Sequence, residues 1–128
     1  MMIGLGVDII DNRRIKKTLD RFGNKFIKRC FSRNEINKSN QIQNSVNYFA
    51  KRYAAKEACA KALGTGFINK VDWKDIEIMN DINGKPYIKL YNNALNRLKQ
   101  ISNKKCNIFL SLSDEKNYSI ANVSIFEL

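Results

Sequence analysis

Glu57 and Lys61 stand one helical turn apart in the run Arg52-Tyr53-Ala54-Ala55-Lys56-Glu57-Ala58-Cys59-Ala60-Lys61-Ala62-Leu63-Gly64-Thr65-Gly66. At 100° per residue they share a stripe with Ala50 and Ala54, small residues that leave room for a ligand or another backbone. A further carboxylate, Asp8, lies in Met2-Ile3-Gly4-Leu5-Gly6-Val7-Asp8-Ile9-Ile10. Strand alternation there puts Ile3, Leu5, Val7 and Ile9 on one face, and Gly4, Gly6 and Asp8 on the other. Glycine inside a strand marks the close approach of another element, so Asp8 is expected to meet Glu57 across that gap. Two carboxylates repel each other unless a cation lies between them, and hard oxygen ligands suit Mg²⁺. Gly64 supplies a left-handed residue to end the helix, and Thr65-Gly66 adds backbone N–H groups free of bulky side chains, a place for a phosphate. Taken alone, Glu57 and Lys61 also fit an ordinary i,i+4 surface pair, worth roughly 0.2–0.5 kcal/mol.

The elements that must position these groups are legible in outline. The run from Phe49 to Leu63 is apolar or small on almost every side, which predicts a buried helix. Ahead of it, Asp11 caps a helix through about Phe22, with Ile15, Leu19 and Phe22 as the inward face. More helix is expected from Lys25 to Arg29, and Ser32-Arg33-Asn34-Glu35 has the capping-box pattern that opens another helical segment. Ile76 to Leu90 reads as a hairpin with Asn83-Gly84 in its turn. A short helix over Tyr91–Gln100 and an antiparallel pair, Cys106–Ser113 with Tyr118–Phe126, complete the chain. Helix and strand mix without regular βαβ alternation, so the fold class is α+β, a single domain over residues 1–128.

Composition narrows the chemistry. The 128 residues contain no histidine, which removes Ser-His-Asp and Cys-His catalysis and the usual zinc-hydrolase motifs. Any general base must then be a carboxylate, a lysine or water. Cys30, Cys59 and Cys106 are odd in number and far apart, which indicates neither a disulfide framework nor a zinc site. No apolar run is long enough to span a membrane, and a soluble protein is expected. The net charge of +11 is uneven: between Arg13 and Lys38, ten Lys or Arg against Asp20 and Glu35 leave +8. Such a stretch is also the electrostatic footprint of a basic nucleic-acid-binding module, the rival reading. That reading leaves Asp8 and the glycine face unexplained, and a purely structural oligomer leaves Glu57 and Lys61 unexplained. Arg14, Lys17 and Arg21 repeat at i, i+3 and i+7 and so line one side of the first helix.

Gly4-Leu5-Gly6-Val7-Asp8-Ile9-Ile10 and Arg52 to Gly66, together with Gly84-Lys85-Pro86 and Leu110-Ser111-Leu112-Ser113, resemble the holo-acyl-carrier-protein synthases. These are the small bacterial and organellar 4′-phosphopantetheinyl transferases. The resemblance runs the whole length in the right order. It implies a long central helix packed on a small, mainly antiparallel sheet, and homotrimers with active sites between subunits. It implies transfer of phosphopantetheine from coenzyme A to a serine of apo acyl carrier protein, with release of adenosine 3′,5′-bisphosphate. Asp8 and Glu57 match the family's magnesium ligands, with Glu57 also able to orient a water or accept the serine proton. Lys61 matches the lysine near the phosphates. Gly64, Thr65 and Gly66 would hold coenzyme A, Arg52 would contact the nucleotide and Pro86 would shape the pocket rim.

For the acidic carrier protein, the resemblance assigns Arg14 to docking, and Lys17, Arg21 and the hydrophobic Phe26 extend that face. For Lys56, a solvated charge and a part in the site both stay open. Where relatives commonly read L-S-L-S-H, this chain has Asp114, which cannot meet a phosphate when ionised; either the contact is dispensable or Lys116 replaces it. With Met1-Met2 directly ahead of the first strand, a bacterial cytoplasm is expected, or a plastid-type organelle with a leader removed.

Overall fold

The computed structural model describes residues 1–66 and 70–128. The first strand, β1 (Met2–Asp11), leads into α1 (Asn12–Phe22), whose N-cap Asp11 accepts from the Arg13 N–H. Gly23, at φ 54°, breaks that helix and turns the chain into α2 (Asn24–Cys30). The capping box at Ser32 and Glu35 opens α3 (Arg33–Ser39). Next comes α4 (Ser45–Ala62), on which Ala50, Ala54, Ala55, Ala58, Cys59 and Ala60 are fully buried, as its all-round apolar character predicts. A hairpin follows, β2 (Ile76–Asn80) and β3 (Pro86–Leu90), with Asp81 accepting from the N–H groups of Asn83 and Lys85 in the turn. After α5 (Asn92–Ile101) come β4 (Cys106–Asp114) and β5 (Tyr118–Glu127). The strands form one antiparallel sheet in the order β1-β5-β4, and the hairpin β2-β3 stands apart from it.

The core lies between the sheet and α4. A Cβ on Gly4 would sit 2.5 Å from the Ala62 carbonyl oxygen, and one on Gly6 would overlap the carbonyl of Ala58. The glycine face of β1 is therefore the inward face, because helix backbone occupies the space that side chains would need. Its apolar face turns outward: Leu5, Val7 and Ile9 are 59%, 52% and 63% exposed.

Two expectations need correction. Phe22 was placed on the inward face of α1, but it is 50% exposed, because the break at Gly23 lets the last turn of α1 project past the core. Lys56 is not a solvated charge: it is fully buried, with its ammonium 2.8 Å from Glu35, and it also donates to the carbonyls of Trp73 and Ile76.

Candidate functional site

Asp8, Glu57 and Lys61 come together where β1 crosses α4. Gly4 faces Ala62 and Gly6 faces Ala58, so Asp8, two residues further along the same face, arrives beside the turn that carries Glu57. The Lys61 ammonium reaches back toward the helix N-terminus and lies 3.0 Å from Asp8 Oδ1, donating also to the Val7 carbonyl at 3.1 Å. Burial first, and then the charge of Asp8, raise the Glu57 carboxyl above the ordinary carboxylate range, while Lys61 opposes them. A carboxylate pair in this state lacks positive charge.

Gly64 and Gly66 both have positive φ, at 78° and 55°, which suits glycine at a helix end. Their N–H groups are already engaged. Gly64 donates to the Lys61 carbonyl, and Thr65 and Gly66 both donate to that of Ala60. What this turn offers a ligand is the absence of bulk rather than free donors. Arg97 braces it by donating from Nε to the Leu63 carbonyl at 2.9 Å.

Arg52 and Pro86 lie elsewhere on the chain. Five residues from Glu57, Arg52 projects about 140° away around the helix axis. Its guanidinium is buried over the Tyr48 ring, 4.0 Å from the centroid, and Nη2 donates to Asn80 at 2.6 Å. Asn80 pairs with Pro86 across the hairpin and donates to the Gly84 carbonyl, so Arg52 and Pro86 share one cluster. Among the described residues Arg52 Nε has no hydrogen-bond partner, and Arg52 borders a cavity of about 250 Å³ that Asn34, Lys38 and Tyr48 help to line. Asp114 is anchored to α4, accepting from Asn47 Nδ2 at 3.1 Å and pairing with Lys51 at 3.5 Å.

On the other side, Arg14, Lys17 and Arg21 are exposed along α1, as their spacing predicts. Phe26 belongs to a groove of about 540 Å³ with Phe22, Lys25, Arg29, Tyr53 and Trp73. Sequence reasoning missed Tyr53 and Trp73, which stack at 4.5 Å. Tyr53 lay in the quoted run one turn ahead of Glu57, a position that could have drawn attention to it.

A family model described as the 4′-phosphopantetheinyl transferase superfamily matches residues 4–123. The chain is 46% identical over 127 residues to a holo-[acyl-carrier-protein] synthase of Agrobacterium fabrum, covering 98% of this chain and 95% of that one. The crystal structure of such a synthase from Neisseria meningitidis superposes with a TM-score of 0.88 at 37% identity, covering 99% of this chain and all of the other. One from Bacillus anthracis, in complex with CoA (3′,5′-ADP), gives a TM-score of 0.80 at 34% identity over 98% and 96% of the two chains.

Proposed function

The chain belongs to the 4′-phosphopantetheinyl transferase superfamily, and on that premise we propose that Asp8, Glu57 and Lys61 carry the transfer of 4′-phosphopantetheine from coenzyme A to a serine of apo acyl carrier protein. The observation that carries this assignment is the meeting of Asp8 and Lys61 at 3.0 Å beside a Glu57 raised by burial and by its acidic neighbour. The reaction is attack on a pyrophosphate, which asks mainly for placement and charge neutralisation. Glu57 accepts the serine proton. Lys61, whose side chain is 51% exposed, is free to turn from Asp8 to the phosphates. The glycine turn at Gly64–Gly66 lets coenzyme A approach closely. The serine Oγ–P bond forms as the P–O bond to the nucleotide breaks, and adenosine 3′,5′-bisphosphate leaves.

Asp8 and Glu57 fit a magnesium ion, being two hard oxygen donors with too little positive charge between them. Among the described residues there is no cluster of three or more His, Cys, Asp or Glu, so the remaining ligands would be pyrophosphate oxygens and water. Such an ion supplies neutralisation of the charge that develops on the reacting phosphate.

The separation of Arg52 and Pro86 from Asp8 supports a homotrimer in which the Arg52–Pro86 cluster of one subunit completes the Asp8–Glu57–Lys61 cluster of the next. The outward Leu5, Val7 and Ile9, continued by Phe109, Ile120 and Phe126 on the same sheet, form the apolar face that such contacts would cover. The basic face of α1 then serves an acidic carrier rather than a nucleic acid. The bacterial relatives support a cytoplasmic location. The test is incubation with coenzyme A, Mg²⁺ and apo acyl carrier protein. The carrier should gain the mass of the phosphopantetheinyl arm, and an unchanged carrier mass would overturn the assignment.

A further inference from the structure

The glycine turn that ends α4 has spent its own donors. The N–H groups of Gly64, Thr65 and Gly66 go to the carbonyls of Lys61 and Ala60, and the Thr65 hydroxyl donates to the Gly66 carbonyl at 2.8 Å. An anion that comes close to this turn therefore needs donors from a neighbouring element. Arg97, on α5, is placed to give them. Its Nε donates to the Leu63 carbonyl at 2.9 Å, which lays the guanidinium along the turn, and Nη2 lies 3.3 Å from the point where a Cβ on Gly64 would stand. A side chain at Gly64 would crowd that edge of the guanidinium, and the glycine leaves it open. Capping a helix carbonyl uses one N–H of the five that a guanidinium carries. Among the described residues Arg97 has no carboxylate partner, and neither Nη bonds to any of them. Neither is sealed from solvent, since Arg52 Nε is the one buried side-chain nitrogen or oxygen without a partner among the described residues. Beyond the cap, Arg97 thus presents a planar fork of accessible donors with a fixed charge, the form that suits phosphate oxygens.

We propose that the Nη groups of Arg97 bind a phosphate of coenzyme A at the glycine turn, with Nε holding the guanidinium in place on Leu63. This rests on the transfer reaction proposed above and adds a charged donor for its coenzyme A. The pyrophosphate and the 3′-phosphate offer the same chemistry, and dephospho-coenzyme A, which lacks the second, tells them apart. Arg97 moves no proton in the reaction; the serine proton still goes to Glu57.

Calorimetric titration with coenzyme A and with dephospho-coenzyme A, at several salt concentrations, tests the contact without relying on turnover. Arg97→Gln removes the charge and the fork, and should weaken coenzyme A about tenfold, the size of one charge-assisted hydrogen bond. Its binding should also depend less on salt than that of the unaltered protein, because one charge on the phosphate is gone. Arg97→Lys keeps the charge, so it should lose less affinity and retain the salt dependence. The melting temperature should fall alike in both, since both lose the bond to Leu63, and the KM for the carrier protein should change less than twofold. Equal weakening of dephospho-coenzyme A assigns the contact to the pyrophosphate, and weakening of coenzyme A alone assigns it to the 3′-phosphate. If Arg97→Gln binds coenzyme A with unaltered affinity, or loses affinity with an unaltered salt dependence, Arg97 only caps α4 and the contact is refuted while the transferase reading stands. If the unaltered protein neither binds coenzyme A nor modifies the carrier, both readings fall.

Discussion

Lys61 and Asp8 meet across the contact between α4 and β1, ammonium to carboxylate at 3.0 Å, so the cation beside Asp8 is one that the chain itself supplies. Only 18% of the Asp8 side chain is exposed, and Glu57 is held above its ordinary range nearby. Asp8→Asn and Glu57→Gln each remove a charge with little change in volume. Each is expected to slow transfer a hundredfold or more, corresponding to about 3 kcal/mol of electrostatic contribution, while the melting temperature stays put. Chelation of Mg²⁺ should abolish transfer by the unaltered protein. Near-normal rates for either variant at limiting Mg²⁺ would refute the metal assignment.

What the sequence made legible here was local. The caps at Asp11 and Ser32, the buried run of α4, the hairpin turn and the glycine–aspartate alternation of β1 are each written within a few neighbouring residues. The direction of β1 was legible too, because its glycines, against the usual hydrophobic rule, mark the face that helix backbone meets. Depth was not. Lys56 gave no sign of its burial, since its counter-charge Glu35 lies 21 residues away on another helix. The division of the expected site into an Asp8 cluster and an Arg52 cluster was half legible: helical spacing sets Arg52 about 140° from Glu57, but its partner Asn80, which pairs with Pro86 across the hairpin, lies 28 residues further along the chain.

The close approach of β1 to α4 predicts a specific intolerance. On Gly6 a methyl group would strike the Ala58 carbonyl and come within 2.8 Å of the Ala62 nitrogen, both fixed helix backbone. Gly6→Ala should therefore destabilise the fold by about 1–3 kcal/mol as the strand is pushed off the helix. Activity should fall with it, because Asp8 follows on the same strand. Gly84→Ala meets open space and has only its positive φ of 84° to overcome, a cost of roughly 1–2 kcal/mol. Denaturant unfolding of the two variants, with transfer rates alongside, checks this. A Gly6→Ala protein with normal transfer would contradict the packing argument.

Lys56 and Glu35 form a buried knot. Both side chains are wholly inaccessible, and Glu35 also accepts from the N–H groups of Ser32 at 2.8 Å and Ile78 at 3.1 Å. Lys56→Met leaves a carboxylate buried without its counter-charge, and Glu35→Gln leaves an ammonium in the same position. Each is expected to cost about 3–5 kcal/mol. The double variant should cost less than the two together, since neither charge is then stranded. Additive losses in a double-mutant cycle would show that the pair is not the coupled unit its geometry indicates.

Carrier docking is the remaining question that charge can answer. Arg14, Lys17 and Arg21 project into solvent along one side of α1, and Arg14 also lines a small depression with Phe26 and Tyr53. Arg21 lies with its guanidinium over the Phe22 ring at 5.0 Å, which brings it to the edge of the aromatic groove with Phe26, Lys25 and Arg29. An acidic partner drawn to this face would be steered by exposed charges, whose reach is about 8 Å at physiological ionic strength. Arg14→Ala and Arg21→Glu should therefore raise the KM for the carrier protein, the charge reversal more than the deletion, and leave that for coenzyme A nearly unchanged. Rising salt should weaken carrier recognition in the unaltered enzyme and do so less in the Arg21→Glu variant, which has less attraction to lose. If both substrates were affected equally, the two arginines would be acting on the shared catalytic centre and not on docking. If carrier binding ignored salt altogether, the apolar groove and not the charged rim would be what holds the partner.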